Sequence, residues 1–207
     1  LDSEDQIGIV TFGSTARVVL SPVPGDRKRQ ILAVIDNLYA TGSTYAEAGL
    51  KLGYEMASEQ YTAGHTNRII LCSDGVANVG RTGPEEIMRE VTRNAQSGIT
   101  LSTFGFGMGN YNDVLMEKLA QKGNGRYAYV NNWDEAQRQF VEQLVSNVQV
   151  LARDVKIQVA FDPASVASYR LIGYENRAVA DNKFRDNKTD GGEVGAGHEV
   201  TALYEVQ

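Results

Sequence analysis

Two short segments carry oxygen-bearing side chains to places where an α/β protein does its chemistry. In Arg68-Ile-Ile-Leu-Cys-Ser-Asp74-Gly75, an apolar run ends on a carboxylate and then a glycine. Ligands of an open α/β sheet bind outside the carboxyl ends of the strands. An aspartate there can face solvent or a cation without the full cost of burying a charge. An Asp-Gly turn is the ordinary explanation of the same pair. The second segment, Thr41-Gly-Ser-Thr44, is a tight polar loop that opens a helix. Its hydroxyls offer oxygen ligands or cap that helix.

Other chemistries find less support. Phe104-Gly-Phe-Gly-Met-Gly109 has Gly-x-Gly-x-Gly spacing and stands deep in the α/β alternation instead of at its first strand, so it does not read as a dinucleotide loop. His65 and His198 are far apart and have no cysteine nucleophile near a matching motif, so both read as surface or loop residues. The single cysteine, Cys72, cannot form an intrachain disulfide and reads as a small buried hydrophobe. Asn187-Lys-Thr189 is a glycosylation sequon by pattern alone. Tyr169, Tyr174 and Tyr204 read as strand residues with a polar tip.

The composition narrows the partners. The chain has 207 residues, 42% hydrophobic and 22% charged, with a net charge of −6. That describes a globular protein with no electrostatic footprint for nucleic acid and no polybasic patch for a membrane surface. No apolar run approaches the roughly 18 residues of a membrane-spanning helix.

The elements that would position the two segments follow from periodicity. Gln6–Phe12 and Ala16–Leu20 read as an antiparallel hairpin. Asp26–Leu38 reads as a helix capped by Asp26, and Tyr45–Glu59 as a second helix with Ala48, Leu52 and Met56 facing the core. Strands over Arg68–Ser73, Thr100–Phe106 and Arg126–Val130 then alternate with helices over Pro84–Gln96, Asn112–Gln121 and Trp133–Val145. Such alternation predicts βαβ units, hence a parallel sheet covered on both faces, in residues 1–147. From Val148 onward the texture is all-β. Val155–Phe161, Tyr169–Tyr174 and His198–Tyr204 read as strands, and Asp186–Gly197 as a Gly/Asp/Asn-rich connection.

In this order, Gly42-Ser-Thr-Tyr-Ala-Glu-Ala-Gly-Leu-Lys-Leu52, Arg68 to Gly75, and Thr100 to Asn132 resemble the von Willebrand factor type A (VWA) domain. The shared features are the Gly-x-Thr start of a helix, a strand ending in Asp-Gly, a Phe-Gly-x-Gly strand exit and a Leu-x-x-Leu-Ala-x-x-Gly-x-Gly-x-Tyr segment. The fold implied is a Rossmann-like doubly wound α/β domain over residues 1–147, followed by a small all-β segment over 148–207. That segment is similar to part of the β-sandwich that follows this domain in a group of bacterial proteins.

The resemblance also implies a metal-ion-dependent adhesion site holding Mg²⁺ or Mn²⁺ on three loops. By position, Thr44 matches its threonine and Asp74 its aspartate. The Asp-x-Ser-x-Ser motif of the third loop occurs nowhere in the chain, so the expectation is that it lies before Leu1, on a central strand between Gln6–Phe12 and Arg68–Ser73. The sheet of these residues alone should then have a gap, and two oxygen ligands alone should hold Mg²⁺ poorly against its hydration shell.

The function implied is non-enzymatic: a module that captures a carboxylate of a protein partner through the cation, with the bacterial envelope or periplasm as its compartment. A structural envelope scaffold with a degenerate metal site is one alternative. A nucleotide-dependent or metal-dependent enzyme is another, for which no phosphate loop, nucleophile elbow or histidine-rich cluster is found.

Overall fold

A computed structural model describes residues 1–39, 45–74, 84–107, 113–143, 150–173, 179–186, 189, 191–195 and 200–207. The chain divides into two units, Leu1–Val141 and Glu142–Gln207.

The first unit opens with a hairpin, β1 (Gln6–Phe12) and β2 (Ala16–Pro24), paired antiparallel. A short helix α1 (Lys28–Ile35) follows. Its N-cap residue is Arg27, with no side-chain cap bond, so Asp26 does not cap it. Helix α2 (Ala46–Glu59) leads into β3 (Asn67–Ser73). The alternation continues through α3 (Pro84–Gln96), β4 (Ile99–Phe106), α4 (Asp113–Lys122), β5 (Tyr127–Val130) and α5 (Trp133–Gln137). Strands β3, β4 and β5 pair parallel in that order, with Asn67 opposite Ile99, Ser73 opposite Gly105 and Phe106 opposite Val130.

Helices α2, α3 and α4 share one core with one face of this sheet. It contains Leu50 and Tyr54 of α2, Leu71 of β3, Val91 of α3, Leu101 of β4, and Met116 and Leu119 of α4. The core stripe of α2 is Ala46, Leu50 and Tyr54 with Gly49 and Gly53, all buried; Ala48, Leu52 and Met56 are only partly so. Period alone could not choose between two stripes of equal spacing. The glycines decide it, because a Cβ at Gly49 would stand 2.8 Å from the Phe12 ring. The helix therefore lies closest to β1 along its glycine face. Gly125 serves β4 in the same way, since a Cβ there would meet the Leu101 carbonyl oxygen at 2.1 Å.

The opposite face of the sheet is covered over β4 and β5 by a second cluster, in which Phe140 packs on Phe104 with ring centroids 4.6 Å apart and on Phe106 at 6.2 Å. The helix expected over Trp133–Val145 is α5 followed by a π-helical turn at Arg138–Glu142. That wider turn carries both the buried Gln139 and the ring of Phe140.

Among the described residues β1 pairs only with β2, and β3 only with β4, so the strands form two separate sheets divided between β1 and β3. This is the gap expected there. Helix α2 packs against both sheets and holds them in one unit: Phe12 of β1 lies at Gly49, Met56 over Gly8, and Ile69 of β3 beside Gly53.

The second unit is built from two antiparallel ribbons, β6 (Val150–Val155) with β8 (Gly192–Gly195), and β7 (Tyr169–Ile172) with β9 (Leu203–Val206). Among the described residues the alternating stretch 156–161 pairs with no strand. Within the segment read as a connection, β8 is instead a strand, whose glycines gave no apolar alternation to find it by. Phe161, Tyr169 and Tyr204 form an aromatic trio, with Phe161 4.6 Å from Tyr169 and 5.2 Å from Tyr204. Tyr174, Asn187 and His198 lie outside the described residues.

Candidate functional site at the carboxyl edge of the sheet

Asp74 follows the last residue of β3 and is exposed, where an aspartate at a strand end can present its carboxylate to solvent. The β4 exit runs beside it. Gly107 adopts φ +94°, a left-handed conformation open to glycine, and a Cβ built on it would lie 3.4 Å from the Asp74 backbone oxygen. The Tyr129 hydroxyl, from β5, donates to the Gly107 carbonyl. The β4 exit is thereby tied to β5, and Asp74 stands beside it at the end of β3.

Ser73, immediately before Asp74, is 5% exposed, and its Oγ has no hydrogen-bond partner among the described residues. An orphaned buried hydroxyl beside an exposed carboxylate is an oxygen donor still to be satisfied. Reading the sequence did not single out Ser73 or Tyr129. Tyr129 was visible only as one of two alternating tyrosines in Arg126-Tyr-Ala-Tyr-Val130.

Thr44 lies outside the described residues. Its neighbour Tyr45 donates its backbone N–H to the Gly13 carbonyl at 3.0 Å, so α2 starts where β1 ends. At its other end, α2 is followed by Thr62, whose N–H reaches the Asn67 side chain at the start of β3. Strands β1 and β3 therefore both run against α2 and point the same way, and the start of α2 lies at the same edge as Asp74.

The donors suit a divalent cation in kind more than in number. Carboxylate and hydroxyl oxygens are the ligands hard cations take, but Mg²⁺ needs six. Among the described residues no group of three or more His, Cys, Asp or Glu side chains could hold a metal. Asp74 alone offers one carboxylate, so a cation at this edge would need other groups to complete its shell.

The face of β3 away from α2 is open. Ile70 is 46% exposed and Cys72 also reaches solvent, whereas Phe104, paired with Cys72 across the strands, is 1% exposed under Phe140. Cys72 does not behave as the fully buried hydrophobe expected of it. Its thiol still sits among enough protein for burial to push its pKa up to about 11. No helix among the described residues is long and apolar enough to cross a membrane.

Comparison with known proteins adds family and fold. A family model described as von Willebrand factor type A domain matches residues 1–143, and one described as "Uncharacterized protein YfbK, C-terminal" matches residues 146–207. The chain is 41% identical over 206 residues to "Uncharacterized protein YfbK" of Escherichia coli (strain K12), a match covering 100% of this chain and 36% of that protein. It is 23% identical over 205 residues to human inter-alpha-trypsin inhibitor heavy chain H4, covering 92% of this chain and 22% of that one. The chain thus spans about a third or less of the length of these relatives. Among solved structures, BatB from Bacteroides thetaiotaomicron aligns with TM-score 0.55 at 20% identity, over 70% of this chain and 79% of that one. Proximal thread matrix protein 1 from the mussel byssus, with a zinc-occupied MIDAS motif, aligns with TM-score 0.53 at 20% identity, over 68% of this chain and 35% of that one.

Proposed function

The chain belongs to the von Willebrand factor type A domain family, and from that premise we propose that it is a non-enzymatic protein-binding module that engages a partner's carboxylate through a divalent cation at the carboxyl edge of its sheet. One observation carries the reading. Asp74 is exposed at the end of β3, at the mouth of a parallel sheet, where ligands of such sheets bind. The mussel protein with its zinc-occupied MIDAS motif supports the reading, as a VWA-like neighbour in which that kind of site takes a metal.

In this reading Asp74 and Thr44 hold the cation, and a bound divalent ion supplies positive charge with an open position for a carboxylate oxygen. The chain's own part is to keep that edge ordered. The Tyr129 hydroxyl fixes the β4 exit through Gly107, against which the Asp74 backbone rests. Two ligands leave most of an octahedral shell to water, other loops and the partner, so affinity for the cation and for the partner should rise together. The same reading places the protein at the bacterial envelope, an assignment that cell fractionation tests.

A scaffold with a degenerate metal site is the second reading, in which Asp74 only ends β3 and holds no cation. Retention of the full-length protein on an immobilised poly-glutamate surface separates the two. The binding module is retained with Mg²⁺ or Mn²⁺, released by EDTA, and loses retention in Asp74→Ala. Retention indifferent to EDTA and to Asp74→Ala would leave the scaffold reading standing.

A further inference from the structure

Strand β5 leads, at the same edge as Asp74, into the chain's only tryptophan, Trp133. Within the sheet Ser73 stands opposite Gly105, and Gly105 opposite Tyr129, so the end of β5 at Val130 lies level with the end of β3. The two ends are two strand spacings apart, about 10 Å. Trp133 follows Val130 by three residues and opens α5, which puts its backbone at most about 20 Å from that of Asp74. One partner surface of ordinary size, roughly 800 Å², covers both positions.

Trp133 is 79% exposed, yet its backbone is held in place. The Asn132 side chain accepts from the Glu135 N–H at 2.8 Å and fixes the first turn of α5. Tyr129 ties β5 to the β4 exit through Gly107. A large side chain with few torsions, presented on an ordered turn, loses little freedom when a partner covers it. Its neighbours indicate what it takes. Asn131, Asn132 and Asp134 are all exposed, so the indole is flanked by polar groups on both sides in sequence. Of the aromatic rings, the indole face attracts a guanidinium or ammonium most strongly. A guanidinium also stacks flat on the ring, and the Asp134 carboxylate beside it favours the same positive charge.

We propose that Trp133 is a second contact for the protein partner, receiving an arginine from the same surface that gives its carboxylate to the cation at Asp74. The recognised surface is then of mixed charge, with an acidic side chain and an arginine up to about 20 Å apart. The inference rests on the cation reading of this edge and adds to it the chemistry of the partner. Trp133 gives the edge a preference among carboxylate-bearing partners, which the cation alone does not supply.

The test passes the full-length protein, in Mn²⁺, over two immobilised peptides: Asp-Gly-Ser-Gly-Ser-Gly-Arg and the same sequence ending in glutamine. Both are amidated, so the aspartate is the one carboxylate, and the spacer reaches about 20 Å when extended. Wild type should bind the arginine peptide about two- to fivefold tighter than the glutamine peptide. Trp133→Ala should bind both alike, at the wild-type affinity for the glutamine peptide, and Trp133→Phe should keep part of the preference. Neither substitution should move the urea midpoint, because the side chain is exposed, so a lost preference is not lost folding. Equal wild-type binding of the two peptides, with EDTA still releasing both, would overturn the inference and leave the cation reading intact. A preference that survives Trp133→Ala would also overturn it, since the negative charge of the chain would then account for it. Binding of neither peptide, or binding indifferent to EDTA, would remove the cation reading and this inference with it.

Discussion

At the scale of single residues, placement at strand ends and edges sets the chemistry. Asp74 matters because it follows β3 at the mouth of the sheet. Cys72, two residues earlier, carries the chain's one thiol, and its surroundings favour the protonated form. Burial raises its pKa to about 11, so at neutral pH it is almost wholly thiol, and the thiolate is the reactive form. Iodoacetamide should therefore modify Cys72 on the order of a hundredfold more slowly at pH 7.5 than it modifies an unperturbed cysteine, although the residue reaches solvent. The rate should climb until the pH passes about 11. Modification at the ordinary rate would mean that the open face of β3 is wetter than its exposure implies. Tyr54 shows the same physics in the core: burial, with the nearby Glu90 charge adding to it, raises its hydroxyl pKa, so it stays neutral.

At the scale of elements, the helix-strand alternation was legible in the sequence, and the phase and ends of several helices were not. Pro84 and Gly98 bracket α3, and the structure ends that helix at Gln96 with Gly98 at φ +94°. In α2 the eye falls on Ala48, Leu52 and Met56, while the buried stripe includes glycines whose value lies in what they let approach. That information is tertiary. The break between α5 and the π-helical turn is likewise set by where Phe140 finds Phe104. The start of α5 is local: the Asn132 side chain accepts from the Glu135 N–H at 2.8 Å.

Asn132→Ala should lower the unfolding free energy by about 1 kcal/mol, and Asn132→Asp should restore most of it, as read by urea denaturation. An unchanged midpoint in the alanine variant would show that α5 is held by packing alone. Glu135 adds a pH dependence at the same place. Its hydrogen bond to Arg138 lowers its pKa, with an ion-pair distance of 2.6 Å. The stability it contributes is present above the ordinary glutamate value of about 4.3 and is lost as pH falls through the lowered native value.

At the scale of the whole molecule, the chain joins a well-packed α/β unit to a β unit of a different kind. The second unit exposes Leu151 at 64% and Leu203 at 62% on ribbons of two strands, an arrangement of marginal stability by itself. Its stretch 156–161, unpaired among the described residues, alternates like a strand, and β8 does not alternate at all. Pairing there is decided by backbone partners, which periodicity does not report. The division of the first unit's sheet was legible because the resemblance supplied the expected strand order. For the proposed cation site the sequence offers Thr44 and Asp74 by position, and the Asp-x-Ser-x-Ser motif that would complete it occurs nowhere in the chain.

The central claim is that Asp74 holds a divalent cation to which a partner carboxylate then binds. Calorimetric titration of Mn²⁺ into the full-length protein, with and without glutarate as a carboxylate probe, tests it most directly. The account predicts saturable binding that glutarate tightens and that Asp74→Ala abolishes. The same titration curve for the wild type and Asp74→Ala, or no heat from either, would contradict it.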